Sequence, residues 1–275
     1  MNKIKIISIV TCNKGDVRRN NQDNFLLNGA HSICKRTGDV ECNLAAKSKF
    51  QMYAVFDGMG GECYGDEAAL ISTQVAEYYR KRLEGKDITD VNKYLRMYFS
   101  DANEKICQMM DEKKVEASGT TAAVVWLYKN LFYGANVGDS RIYLFRDNKL
   151  QQLSMDHTEK ASLEKLQLGS SQDRSDSWRE LGLTQYLGIR TEEMLIEPHY
   201  FKLQPKNKDI LLLCSDGLTE SIDDEAICQI LIASKSIEKA KERLLEQTIE
   251  AKGKDNTTMM LLEVKKGWFN STSKF

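Results

Sequence analysis

The chain has 275 residues, with 39 Lys and Arg set against 40 Asp and Glu, 41% hydrophobic residues and 29% charged ones. A formal net charge of -1 excludes the broad cationic field of a protein that binds nucleic acid or an anionic membrane mainly by charge. No run approaches the roughly 18–20 apolar residues of a membrane span, and Asn13-Lys14-Gly15-Asp16 cuts short the apolar start, so no membrane partner, no secretory leader and a cytoplasmic location are expected.

In chain order, β-like runs open the sequence at 4–10, 25–27 and 50–56, and the polar stretch 28–49 between the last two reads as a long hairpin excursion. Two helical patterns follow. Ala68, Ile71, Val75, Tyr78/Tyr79 and Leu83 recur at spacings of three to four, as do Val91, Tyr94/Leu95, Tyr98/Phe99, Ala102, Ile106 and Met109/Met110. From Ser118 the period changes to that of strands at 120–128, 131–137, 141–146 and 150–153, a meander with turns at Lys129-Asn130 and Asp147-Asn148. Residues 159–186 are polar and irregular, with room for a short helix, in the manner of a lid or binding loop. Strands return at 196–203 and 210–214, helical spacing at Ile227/Ile230/Leu231 and Ile237/Ala240/Leu244/Leu245/Thr248, and a last strand covers 258–264. With no repeat and no linker, a single domain over 1–275 is expected. Runs of strands and runs of helices, instead of strict alternation, make it α+β with antiparallel sheets.

Seven scattered cysteines, an odd number with no C-x-x-C pair, point to reduced thiols, and three histidines without H-x-x-x-H leave nitrogen and sulfur metal chemistry little to work with. His157 reads as a polar loop residue, His31 and His199 as solvent-facing, and Cys63 as an inert thiol. The carboxylates carry more. Asp57 closes a strand and opens Asp57-Gly58-Met59-Gly60-Gly61, Asp216 closes another before Gly217, and Asp139 sits in Gly138-Asp139-Ser140 between two strands. Asp255 precedes the last strand, and Asp23 leads into Phe25-Leu26-Leu27. Each pair Asp-Gly alone is an ordinary turn. Gathered, such acids repel unless a cation lies among them, and oxygen ligands without His or Cys select Mg2+ or Mn2+. Arg18, five residues before Asp23, is suited to hold phosphate oxygens bidentately.

The ordered motifs Gly15-Asp16-Val17-Arg18, Asn21-Gln22-Asp23, Val55-Phe56-Asp57-Gly58-Met59-Gly60-Gly61, Ser118-Gly119-Thr120-Thr121, Asn136-Val137-Gly138-Asp139-Ser140-Arg141, Asp156-His157-Thr158, Leu213-Cys214-Ser215-Asp216-Gly217-Leu218-Thr219 and Asp255-Asn256-Thr257-Thr258 resemble those of the metal-dependent protein phosphatases of type 2C, in their compact bacterial form. The resemblance implies a four-layer α-β-β-α sandwich, two antiparallel sheets flanked by pairs of antiparallel helices, with 159–186 as a flap. It implies a protein serine/threonine phosphatase with two Mn2+ or Mg2+ ions and a weaker third. Asp57 would bridge the two ions with the Gly58 carbonyl as a further ligand, Asp216 and Asp255 would complete one ion, and Asp139 would hold the third. Asp23 would orient the attacking water and Arg18 would clamp the phosphate. Phosphorylated proteins, including a Ser/Thr kinase and its substrates, are the implied partners of a monomer.

Three residues depart from that pattern: Gln22 where many members carry Glu, Met59 where animal relatives offer a histidine, and Glu220 where an Asp often helps the third metal. Two other readings share these motifs, an inactive phosphoprotein-binding scaffold and a regulatory phosphatase of anti-sigma-factor antagonists. Retention of Asp57, Asp216 and Asp255 favours the enzyme over the scaffold.

Overall fold

A computed structural model describes residues 3–31, 40–46, 49–59, 64–165 and 182–267. The elements are β1 (Lys3–Asn13), β2 (Asn24–Leu27), β3 (Ala30–His31), β4 (Val40–Ala46), β5 (Phe50–Phe56), β6 (Gly58–Met59), α1 (Gly65–Leu83), α2 (Val91–Lys113), β7 (Gly119–Thr120), β8 (Ala122–Tyr128), β9 (Leu131–Val137), β10 (Arg141–Arg146), β11 (Lys149–Gln152), α3 (Glu159–Lys165), β12 (His199–Leu203), β13 (Ile210–Cys214), α4 (Asp216–Thr219), α5 (Asp224–Ala233), α6 (Ile237–Glu250) and β14 (Thr257–Gly267). One six-stranded antiparallel sheet has the order β11-β10-β13-β14-β1-β4, and a second has the order β12-β9-β8-β5-β2-β3.

The layers follow from side-chain alternation along the strands. Tyr53 and Val55 of β5 and Ala123, Val125 and Leu127 of β8 face the other sheet, where Ile6, Val10, Leu211, Leu213, Met260 and Leu262 meet them. The intervening Met52, Ala54, Phe56, Ala122, Val124 and Trp126 pack under α1 and α2. On the far side, Leu212, Cys214, Met259 and Leu261 pack under α4, α5 and α6. Strands buried on both faces read as continuous apolar runs, because each face has its own core. This is the α+β four-layer sandwich expected.

Local chemistry sets the boundaries. Asp90, Asp223 and Ser236 accept a backbone N–H at the starts of α2, α5 and α6. The pairs Lys129-Asn130 and Asp147-Asn148 adopt positive φ and close two-residue hairpins, as the sequence suggested.

Two expectations need correction and one gains detail. β2 and β5, on either side of the 28–49 stretch, pair antiparallel as a hairpin excursion requires, but within that stretch β3 pairs with β2 while the edge strand β4 pairs with β1 in the opposite sheet. The meander is likewise split at Gly138: β8 and β9 belong to one sheet, β10 and β11 to the other. The strand expected from 196 begins at His199. Of the flap, the helix α3 and residues 182–186 are described, and the remainder lies outside the described residues, as do Gly60, Gly61 and Cys63. Replacing Leu213, fully buried between the sheets, by Ala should cost about 2–5 kcal/mol in urea unfolding, the range for truncating a buried leucine.

Candidate active site

Strand register brings the acids together. Asn24 pairs with Phe56, so Asp23 just before β2 and Asp57 just after β5 stand side by side at one edge of their sheet. In the other sheet Arg141 pairs with Cys214 and Cys214 with Met259, which sets Asp139, Asp216 and Asp255 at the corresponding edge. Asp216 opens the short helix α4 and does not close its strand, which ends at Cys214. The crossings 14–23 and 138–140 carry the chain from one sheet to the other at that same end.

Each acid is held by its backbone or by a buried hydroxyl. The Asp57 N–H donates to Thr121 Oγ1 at 3.1 Å, and its carbonyl accepts from Thr120 Oγ1 and from the Thr121 N–H, both at 2.8 Å. Thr121 Oγ1 lies 2.6 Å from Ser140 Oγ, which ties the Asp57 turn to the Asp139 turn. Gly58 is buried against the start of α1, where a Cβ would come within 2.2 Å of the Gly65 carbonyl oxygen. Gly138 has φ +93°, a left-handed conformation suited to glycine, and its N–H donates to His157 Nδ1 at 3.2 Å. His157 lies in a loop, as expected, but is buried there, and burial lowers its pKa. His199 is also partly buried, with Nε2 at 3.2 Å from the Leu153 carbonyl. Asp23, 6% exposed, accepts from Ser215 Oγ at 2.8 Å, and that hydroxyl oxygen accepts the Thr258 N–H at 2.9 Å.

The acids form one electrostatic group. Burial, then the charge of Asp216 and of Asp23, pushes Asp57 well above the usual carboxylate range. Burial and Asp139 do the same to Asp216, with which Asp57 shares a hydrogen bond, so the two titrate as a pair. Asp23 and Asp139 are both raised to about 6, mainly by burial. Glu220 is exposed, yet its carboxyl is raised by partial burial and by Asp255. Arg18, 52% exposed, is bonded to Asp255, the main cause of its raised pKa, and also feels Asp216 and Asp57. All seven expected residues, Arg18, Asp23, Asp57, Gly58, Asp139, Asp216 and Asp255, thus belong to one neighbourhood.

Among the described residues, no three His, Cys, Asp or Glu side chains stand ready around a single ligand position. The donor set still fits divalent cations. Asp23 Oδ1 and Asp216 Oδ1 are buried without a hydrogen-bond partner, and oxygens are what Mg2+ and Mn2+ prefer. Ser215, Thr120, Thr121 and Ser140 support the acids through their hydroxyls and Asn256 through its backbone N–H to Asp255 Oδ1, and sequence reasoning assigned them no role. Their signal was adjacency: each is a short polar residue inside a motif that also holds an acid.

The sequence model of the family described as Protein phosphatase 2C matches residues 10–257. The chain belongs to that family. It is similar to the serine/threonine phosphatase stp of Listeria welshimeri, 28% identical over 252 residues that cover 91% of this chain and 92% of the relative. It is also similar to the PPM Ser-Thr phosphatase MsPP from Mycobacterium smegmatis, crystallised with cacodylate, at a TM-score of 0.72 and 26% identity over 93% of this chain and 97% of the other. The catalytic domain of PstP, crystallised with two manganese ions, shares the fold at a TM-score of 0.75 and 24% identity, covering 95% and 99%. The expected class, a serine/threonine protein phosphatase, is the one these relatives' names carry. Among the described residues no helix is long and apolar enough to cross a membrane.

The raised carboxyls give the phosphatase fold a pH signature. Asp23 and Asp139 sit near 6 when folded against an ordinary 3.8, so the folded chain keeps protons that the unfolded chain loses first. Their contribution is complete below about 3.8 and is lost as pH rises through about 6. In EDTA, the melting temperature should therefore fall between pH 5 and roughly pH 7, and Mn2+ should reverse the fall, as calorimetric scans across that range would show.

Proposed function

We propose that this chain is a metal-dependent phosphatase that hydrolyses phosphoserine and phosphothreonine in proteins. The observation that carries the reading is the meeting of strand-end acids from both sheets, with buried oxygens left unpartnered, beside one exposed arginine. Two Mn2+ or Mg2+ ions would be held by Asp57 with the Gly58 carbonyl, by Asp216 and by Asp255, and a weaker third by Asp139; the two manganese ions of PstP support this. Bound divalent cations supply a nucleophilic water at neutral pH and offset charge on the phosphoryl oxygens.

The chain's own residues do the rest. Asp23, fixed through Oδ2 by Ser215, turns its free oxygen to orient the attacking water along the P–O axis. Arg18 exchanges Asp255 for phosphate oxygens and holds the ester for displacement. Met59 carries no transferable proton, so the leaving serine or threonine oxygen takes its proton from solvent. Gln22, neutral where relatives often place an acid, weakens the second ion, and the exposed Glu220 alters the reach toward the third. On this reading the chain is a single domain over 1–275, acting as a cytoplasmic monomer on phosphoproteins that include a Ser/Thr kinase and its substrates. Five free thiols among the described residues accord with a reducing compartment.

Phosphate release from a phosphothreonine peptide should be absent in EDTA and restored by Mn2+ or Mg2+. Asp57→Asn should abolish it while circular dichroism stays native; an active Asp57→Asn protein would sink the mechanism. Arg18→Ala should raise KM about tenfold, the loss of a charge-assisted contact, with kcat much less affected.

A further inference from the structure

Asn256 has no part in the reaction as derived, yet its side chain is 4% exposed and fully engaged. Oδ1 accepts the Gln22 N–H at 2.8 Å, while Nδ2 donates to the carbonyls of Lys14 at 2.7 Å and Asn20 at 3.1 Å. A carboxamide offers two N–H donors and a carbonyl acceptor, and here all serve a single loop. The three anchor points flank Arg18. Residues 16–20 of that loop are exposed, so apolar burial contributes little to holding it. Lys14 Nζ to the Gly15 and Arg18 carbonyls and the Gly15 N–H to Asn13 Oδ1 are local bonds, while the far end of the loop is tied down where Asn21 Nδ2 donates to Cys12 Sγ of β1 at 3.2 Å and the Gly58 N–H to the Gln22 carbonyl at 3.2 Å. Asn256 joins both arms of the loop, at 14 and at 20–22, across 234 to 242 residues of sequence, from the position just before β14.

We propose that Asn256 is a positioning residue for phosphate recognition: by clamping Lys14, Asn20 and Gln22 it fixes the loop that presents Arg18 beside Asp255. The proposal rests on the reading that Arg18 takes the substrate phosphate. Its chemical requirement is a carboxamide. Ala leaves two carbonyls and one amide of the loop without this partner, and Asp, of the same shape, keeps the acceptor for Gln22 but turns an oxygen toward the carbonyls of Lys14 and Asn20.

The test uses the full chain with Asn256→Ala and Asn256→Asp, the second serving if the first does not fold. With a phosphothreonine peptide and Mn2+, each should raise KM roughly tenfold and change kcat less than about twofold. In an Arg18→Ala background the same substitutions should add less than about twofold to KM, since the clamp acts through that side chain. Amide exchange in peptides covering 14–22 should rise, and calorimetric Mn2+ affinity should hold within about threefold, which separates the clamp from disturbance of Asp255. Affinity for inorganic phosphate, measured by calorimetry without turnover, should weaken about as much as KM rises. Additive KM effects, a fall in kcat with KM unchanged, a displaced Mn2+ affinity or unaltered exchange in 14–22 would each overturn the proposal. A wild-type chain that binds phosphate without hydrolysing it overturns the phosphatase reading and leaves phosphate affinity to decide the clamp; one that does neither overturns both.

Discussion

Repulsion among carboxylates in a partly desolvated site is the constraint around which this molecule is built. Asp216, Asp23 and Asp139 each raise the pKa of Asp57, Asp139 raises that of Asp216 as well, and the nearby guanidinium, Arg18, spends its bond on Asp255. A chain that folds with such a group must draw the cost from elsewhere, from cores that fill the sandwich on three levels. The same repulsion is the affinity for divalent cations, since what destabilises the bare acids stabilises the loaded ones.

That cost is tolerable because the acids cannot move apart. Each lies one or two residues beyond a strand whose both faces are packed, and the turns are cross-linked. Thr120 and Thr121 hold the backbone of Asp57, Thr121 reaches Ser140, and Ser215 joins Asp23 to the start of β14. Gly58 and Gly138 sit where a side chain would collide with neighbouring backbone or with Thr121. Pre-set ligand positions of this kind reduce reorganisation on binding and on reaction.

On the proposed reading, phosphate recognition is built differently. Arg18 projects from an exposed loop tied to the rest of the fold by polar bonds, three of them from the Asn256 side chain. On that reading, acids on rigid strand tips and an arginine on a tethered loop would divide the labour between holding cations at a fixed spacing and adapting to a protein-borne phosphate.

The sequence by itself determined the elements and the inventory of the site. Period-3.6 stripes marked α1, α2, α5 and α6, apolar runs marked β5, β8, β13 and β14, and the motifs placed every acid at a strand end. It could not determine which sheet each strand joins. The 28–49 stretch and the supposed meander both change sheets, at positions where local pattern is indifferent because an apolar strand fits either sheet and only packing decides. The roles of Ser215, Asn256 and His157 were hidden for a related reason. A hydroxyl, a carboxamide or an imidazole in a turn looks solvated until residues distant in sequence close over it, and burial then obliges each polar atom to find a partner. Chemistry was legible in the order of residues along the chain; position, and with it pKa and partnership, came from the contacts that only the folded sandwich makes.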